Sequence, residues 1–252
     1  MFYRYAKRDI RLAIDLDGLF DGQECVVAGG APSLNGFAEK AAGHRVPILA
    51  MNNAATVIRP TLWVSGDKPI CFDPSILIDP TIMKFALISR RKFEVAGRPW
   101  QEQPNTFFYG TKEGFNESNL LNPHRDLVWW KNTFFISLQL AYRLGFRVIY
   151  LVGCGFEISS DSQYAWDTKL NDLEIGRNRR LYGDSVRKLK SLLPHFKEKG
   201  LSVISATPGS LANDFLPYVD EDEVLRRFDG RYPEVNTVVL PHSTNSKVKE
   251  SK

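Results

Sequence analysis

Residues able to do chemistry gather in a few short stretches of this chain. The segment "ECVVAGGAPSLNGF", 24–37, carries an apolar run into Gly29 and Gly30, then Pro32 and Ser33. Paired glycines let backbone approach a ligand and permit left-handed φ. Pro32 suits the first turn of a helix, and Ser33 can cap that helix or bond an oxygen. A helix N-terminus aimed at a ligand attracts phosphate through its free N–H groups and its dipole. The spacing matches neither the dinucleotide fingerprint nor the nucleoside-triphosphate loop. A plain strand-to-helix turn explains the same residues equally well. Asp67 directly follows "TLWVSG" and has three readings: a metal ligand, an acceptor for a ribose hydroxyl, or a cap on the next turn. Glu157, Asp161 and Asp167 surround Tyr164. A carboxylate there can deprotonate an acceptor hydroxyl, or the segment is a solvated acidic loop with Asp167 as a helix cap.

Positive charge supplies a second set. Arg177, Arg179 and Arg180, with Tyr182, are the residue types for a diphosphate clamp. Cations at a helix start oppose the dipole, which favours a functional reason for them. Arg90-Arg91-Lys92 either adds to the same field or is a surface turn. His44, His124, His195 and His242 lie far apart without metal spacing. His124, in "NPHRD", is a loop-borne base or a surface residue, and no nucleophile elbow supports Ser-His-Asp chemistry. Trp129-Trp130-Lys131 is one aromatic-basic cluster, too little for a nucleic-acid groove.

The elements that must position these groups read as alternating strands and helices. Short apolar runs bounded by Gly, Pro, Asn or Asp predict strands at 25–28, 47–51, 61–65, 84–88, 106–109, 147–152 and 201–205. They are continuous rather than alternating, as in strands covered on both faces. "NTFFISLQLAYRLG" predicts a helix from the cap Asn132 to Gly145, with Phe134, Leu138 and Ala141 on one face. "NRRLYGDSVRKLKSLLPHFKEKG" predicts another, striped by Val186, Leu189, Leu193 and Phe196, kinked at Pro194 and ended by Gly200. The alternation predicts an α/β fold: a single Rossmann-like domain over 1–235, its mainly parallel sheet flanked by helices. A polar, frayed or disordered tail is expected over 236–252. Ligands of such sheets sit outside the carboxyl ends of the strands. Those ends carry Gly29–Ser33, Asn52-Asn53, Gly66-Asp67, Lys131-Asn132, Gly153–Glu157 and Thr207–Ser210.

Four stretches, in order, resemble the bacterial sialyltransferase-fold glycosyltransferases. Their relatives, the motility-associated glycosyltransferases and the archaeal hydroxymethylpterin diphosphokinases, share the likeness. The stretches are "VVAGGAPSL", "LAMNNA", "AYRLGFRVIYLVGCGFEISSDSQYAWDTK" and "LSVISATPGSLANDFLP", spanning about 24–218. The resemblance implies that Gly29, Gly30, Ser33 and Asn52 or Asn53 hold the nucleotide of an activated sugar. It implies that Lys131, Asn132 and Thr133 contact the phosphate or sugar carboxylate, and that Tyr164 helps the leaving phosphate. Thr207, Gly209 and Ser210 then fall on the nucleoside side. Three departures stand against direct transfer of the sialyl chemistry. The segment "NDLEIGRNRRLYGDSVRK" has arginines where the family carries a histidine base, and a guanidinium is no base at neutral pH. Gly30 stands where asparagine is common. Gly155 and Glu157 replace an acid and a second tyrosine.

Composition bounds the remaining choices. The chain has 252 residues, 43% hydrophobic and 25% charged, with a formal net charge of +4. That is an ordinary globular balance, mildly basic and compatible with anionic substrates. Cys25, Cys71 and Cys154 form no metal pair, and thiols in apolar runs suggest a reduced, cytoplasmic setting. No signal peptide or membrane-length run is apparent. Three readings are carried forward. The first is a glycosyltransferase-like enzyme acting from a nucleotide-activated sugar on a hydroxyl acceptor. The second is an ATP-dependent diphosphokinase of the pterin type, needing Mg²⁺ near Asp67. The third is a non-catalytic nucleotide-binding or interaction protein. Nucleic acid is not expected as a partner.

Overall fold

The structure is a computed structural model describing residues 2–6, 9–113, 120–121, 126–158, 160, 163–166 and 168–229. His124, Asp161, Asp167, His242 and the tail from 236 lie outside the described residues. In chain order the strands are β1 (Phe2–Ala6), β2 (Ile10–Ile14), β3 (Glu24–Ala28), β4 (Ile48–Met51), β5 (Leu62–Ser65), β6 (Met83–Leu87), β7 (Glu94–Val95), β8 (Arg98–Pro99), β9 (Thr106–Tyr109), β10 (Thr111–Lys112), β11 (Leu127–Val128), β12 (Val148–Val152) and β13 (Ser202–Ser205). The α-helices are α1 (Leu34–Ala41), α2 (Pro74–Ile78), α3 (Thr133–Arg143), α4 (Asp172–Glu198) and α5 (Glu221–Phe228).

Nine strands form one sheet in the order β13-β12-β3-β4-β5-β6-β9-β1-β2. Seven run parallel, from β13 across to β9, and these are the seven that the apolar runs predict. Their continuous apolar character follows from burial on both faces: β4, β5 and β9 have no exposed residue. Side chains alternate between two cores. Cys25, Val27, Leu49, Val64, Phe85 and Leu151 meet α3 and α4 on one face. Val26, Ala28, Ala50, Trp63, Ala86 and Val152 meet α1, α2 and α5 on the other.

Helices α2 and α5 and the strand pairs β7–β8 and β10–β11 are absent from the sequence reading, and three further features differ from it. The β1–β2 hairpin, joined antiparallel to β9 through Phe2↔Tyr109, had no assigned element. Charged Arg4 and Arg11 break up its apolar pattern, so no buried-strand run stands out. Helix α3 buries every residue from Thr133 to Ala141, not one stripe, because it lies between the sheet and neighbouring loops. Helix α4 begins two turns before the predicted start. Asn171 and Glu174 form a capping box there, so acids hold the first turn and Arg177, Arg179 and Arg180 sit beyond it. The supposed conflict of these cations with the dipole is thereby largely removed. The helix continues through Pro194 to Glu198.

Strand order fixes the switch point of the sheet. From β3 the chain moves outward one way through β4, β5 and β6, and the other way through β12 and β13. The crevice beyond the carboxyl ends of β3 and β12 is therefore the topological switch point.

Candidate functional site

Three turns close the floor of that crevice. The Gly29 N–H donates to Val152 O at 2.7 Å, and Ala31 N–H to Gly153 O at 2.8 Å. A Cβ on Gly29 would lie 2.4 Å from the Gly153 carbonyl oxygen and 2.8 Å from Cys154 Sγ. Glycine at 29 thus answers to the neighbouring strand's turn, and its amide is already occupied. The turn after β13 joins them: Thr207 Oγ1 donates to Leu151 O (2.9 Å) and accepts from Cys154 N–H (3.0 Å). Ser210 Oγ donates to Cys154 O at 2.7 Å and accepts from Ala212 N–H at 3.2 Å. Thr207 and Ser210 are therefore engaged in joining turns, while Gly209, at φ +68°, is exposed. Burial pushes the Cys154 thiol up to about 12, so it stays protonated at neutral pH.

Aromatic rings form the wall over Gly30. Tyr164 and Trp166 stack at 4.7 Å with 5° between planes. A Cβ on Gly30 would meet Trp166 Cη2 at 2.5 Å and Tyr164 Cδ1 at 3.1 Å. The loop carrying these rings is tied down twice, by Ala165 N–H to Gly30 O (2.9 Å) and Asn35 Nδ2 to Ala165 O (3.1 Å). From α4, Tyr182 brings its hydroxyl to 3.3 Å from that of Tyr164, and Asn178 Nδ2 donates to the Tyr164 hydroxyl at 3.2 Å. Burial first, then the Tyr164 hydroxyl, raises the Tyr182 pKa, so this phenol keeps its proton as a donor. On the same turn as Gly30, Ser33 Oγ is buried without a hydrogen-bond partner among the described residues. Helix α1 starts at Leu34, so Pro32 and Ser33 form the turn before it.

The third side comes from β4, β5 and α3. Asn52 takes φ +51°, its carbonyl accepts from Trp63 Nε1 at 2.8 Å, and its Oδ1 accepts from Thr133 Oγ1 at 3.4 Å. Asn53 turns away, donating to Cys71 O at 3.2 Å. Asn132 caps α3 by accepting from Phe135 N–H, and its Nδ2 donates to Ser185 Oγ at 2.7 Å, which fastens α3 to α4. Lys131, exposed and at φ +53°, pairs with Asp184 at 2.6 Å. The lysine is the main cause holding the Asp184 carboxyl below its usual range.

The remaining candidates lie at the rim. Asp67 is exposed, with its N–H bonded to Ser65 Oγ at 3.0 Å. Glu157 is exposed behind Phe156, which takes φ +57°. Arg179 reaches Ile158 O at 3.4 Å, whereas Arg177 and Arg180 are exposed on other faces of the helix. Among the described residues no three His, Cys, Asp or Glu side chains form a metal-binding group.

Sequence reading passed over Asn178 and the contact role of Trp166. Both carried a signal: Asn178 and Tyr182 are spaced i, i+4, one helical turn apart, and Tyr164 and Trp166 stand two apart in an otherwise polar loop. The candidate site offers two phenols and a carboxamide beside the Gly30 turn and a serine hydroxyl on it, with the Asn52–Thr133 pair beyond the end of the neighbouring strand β4. Such groups donate hydrogen bonds to anionic oxygen.

No helix among the described residues is long and apolar enough to cross a membrane. No protein-family model matches the sequence, and a search of curated proteins gives no match. Among solved structures the chain is similar to the sialyltransferase CstII from Campylobacter jejuni in complex with a substrate analogue, cytidine-5'-monophosphate, at 12% identity and a TM-score of 0.45 over 80% of this chain and 86% of that one.

Proposed function

We propose that this protein is a glycosyltransferase-like enzyme that holds a nucleotide-activated sugar at the switch point and transfers the sugar to a hydroxyl acceptor. One observation carries the reading: the Tyr164, Tyr182 and Asn178 polar groups converge beside the Gly30 turn at the carboxyl ends of β3 and β12. A protonated Tyr182 phenol there suits a departing phosphate, whose growing negative charge it stabilises by donation. Ser33 Oγ, buried and unpartnered, adds a donor on the same turn. Asn52 and Thr133 would bind from beyond the end of β4, with Asn132 and Lys131 at the α3 entrance. Glu157, Asp67 and Asp167 are the carboxylates proposed for deprotonating the acceptor. Arg177, Arg179 and Arg180 contribute a positive field at the rim rather than a preformed clamp.

The test is a thermal-shift panel of CMP, CDP, UDP, GDP, ADP and ATP, each with and without Mg²⁺. A ligand at about 100 times its dissociation constant stabilises by about 2.7 kcal/mol. A metal-independent shift with a pyrimidine or guanine nucleotide, lost in Tyr164→Phe/Asn178→Ala, is the expected result. A response to ATP only with Mg²⁺ would replace this reading with diphosphate transfer. Nucleotide binding without hydrolysis or transfer of any donor would leave a binding protein.

A further inference from the structure

The carboxyl edge of the sheet does not stop at the nucleotide side. Over β5 and β6 it carries Lys68 and the turn Ile88–Arg90, and both lead to one ring. Lys68 Nζ lies 5.8 Å from the centre of Phe93, and the Arg90 guanidinium lies 6.0 Å from it. Phe93 is 37% exposed, so the ring and the cations on it are open to solvent. Two cations therefore share one aromatic ring, whereas some other cations of the protein sit beside carboxylates. Lys92 pairs with Asp9, Arg59 with Asp79, and Arg227 with Glu223. Among the described residues Lys68 and Arg90 have no carboxylate partner. Arg90 Nε is, in addition, shielded from solvent with no acceptor. Buried polar groups in native folds ordinarily find partners, so this donor is open to an acceptor.

We propose that Lys68 and Arg90, set around Phe93, form a subsite for an anionic group, carboxylate or phosphate, on the hydroxyl acceptor. The proposal rests on the glycosyltransferase reading for the word acceptor, but anion binding itself does not depend on it. The position fits that use. Lys68 precedes Pro69–Cys71, whose last carbonyl holds Asn53, the neighbour of Asn52. An anion seated at Phe93 is thus one strand-end removed from the proposed donor pocket. Arg91 is excluded from the subsite because its guanidinium lies on Tyr5, 5.2 Å from that ring.

Amide chemical shifts of the full chain provide the test, at constant ionic strength because salt screens exposed charges. Glycerol 3-phosphate and lactate are titrated separately, and CMP in a third arm. The expected result is a saturable shift of the Lys68 and Phe93 amides with at least one of the two anions. Lys68→Ala/Arg90→Ala should weaken it by about tenfold or more, while Lys92→Ala should leave it unchanged. A response to glycerol 3-phosphate alone assigns a phosphate-bearing acceptor; a response to lactate alone assigns a carboxylate. Absence of any shift at these amides up to about 50 mM of either anion, or equal affinity in the double variant, overturns the subsite. The CMP arm reads Gly29–Ser33 instead, so loss of the subsite and loss of the nucleotide reading are separate outcomes.

Discussion

Gly30→Ala tests whether the stacked rings over the Gly30 turn are held there by contact. Gly30 is not among the glycines with positive φ, so alanine brings no backbone strain. Its Cβ would lie 2.5 Å from Trp166 Cη2 and 2.9 Å from Cζ3. Carbon atoms prefer about 3.5–4.0 Å, so the indole must retreat by about 1 Å. Retreat disturbs the stack with Tyr164, worth about 0.5–1.5 kcal/mol. It also disturbs the Ala165 N–H bond to Gly30 O, worth about 0.5–1.5 kcal/mol. The gross cost is therefore about 1–3 kcal/mol, offset by about 0.4–1 kcal/mol from a stiffer unfolded chain. In a Trp166→Ala background the closest contacts are gone, and the offset is set only against the 3.1 Å approach to Tyr164 Cδ1, which that ring relieves by moving into the space the indole leaves. Gly30→Ala should then be neutral or slightly stabilising, giving a coupling of about 1–3 kcal/mol between the two positions. The assay is urea unfolding of wild type, both single variants and the double variant, with near-ultraviolet circular dichroism following the rings. Additivity within about 0.5 kcal/mol would refute the reasoning, because contacting residues couple and distant ones do not.

Three further outcomes follow from the same geometry. Gly29→Ala drives a Cβ into the Gly153 carbonyl, which cannot rotate aside, and should cost about 3 kcal/mol or more, seen by calorimetry as a melting drop of about 6–12 °C. Thr207→Val keeps the shape but removes the bonds to Leu151 O and Cys154 N–H; a loss of about 1–3 kcal/mol in urea unfolding is expected, and wild-type stability would mean that the turns are not joined through this hydroxyl. Lys84 is buried on β6, and burial lowers its ammonium to about 7, with its Nζ donating to Ile82 O at 3.0 Å. Between about pH 7 and 10.4 the unfolded chain binds the proton that the folded chain has released, so stability rises with pH across that window. Lys84→Met should flatten this rise, and an unchanged slope would place the titration elsewhere.

Much of the frame was legible because central parallel strands have a local signature. A run such as Leu62–Ser65 is apolar on both faces and is bounded by Pro60 and Gly66, so its limits show in the sequence. The hairpin of Phe2–Ala6 and Ile10–Ile14 was not legible, since Arg4 and Arg11 break the run and β1 pairs with β9 far along the chain. The site divides in the same way. Turn residues after each strand were found because topology alone sends them to one edge. Which of them face the crevice depends on contacts that spacing does not encode: Asn52 meets Thr133, while Asn53 meets Cys71. Tyr182 reaching Tyr164 across the α4 interface is equally non-local.

The strand order also dictates a sequence of events during synthesis. β3 pairs with β4 some twenty residues later, yet its other neighbour, β12, begins at Val148. Phe2 must wait for Tyr109. At about 5–20 residues per second, the flank of β3 and the β1 edge stay open for several seconds. Open strand edges invite pairing with other chains. Variants that slow closure of β12 onto β3, Gly29→Ala above all, should therefore aggregate during expression, in addition to lowering the melting temperature of whatever folds.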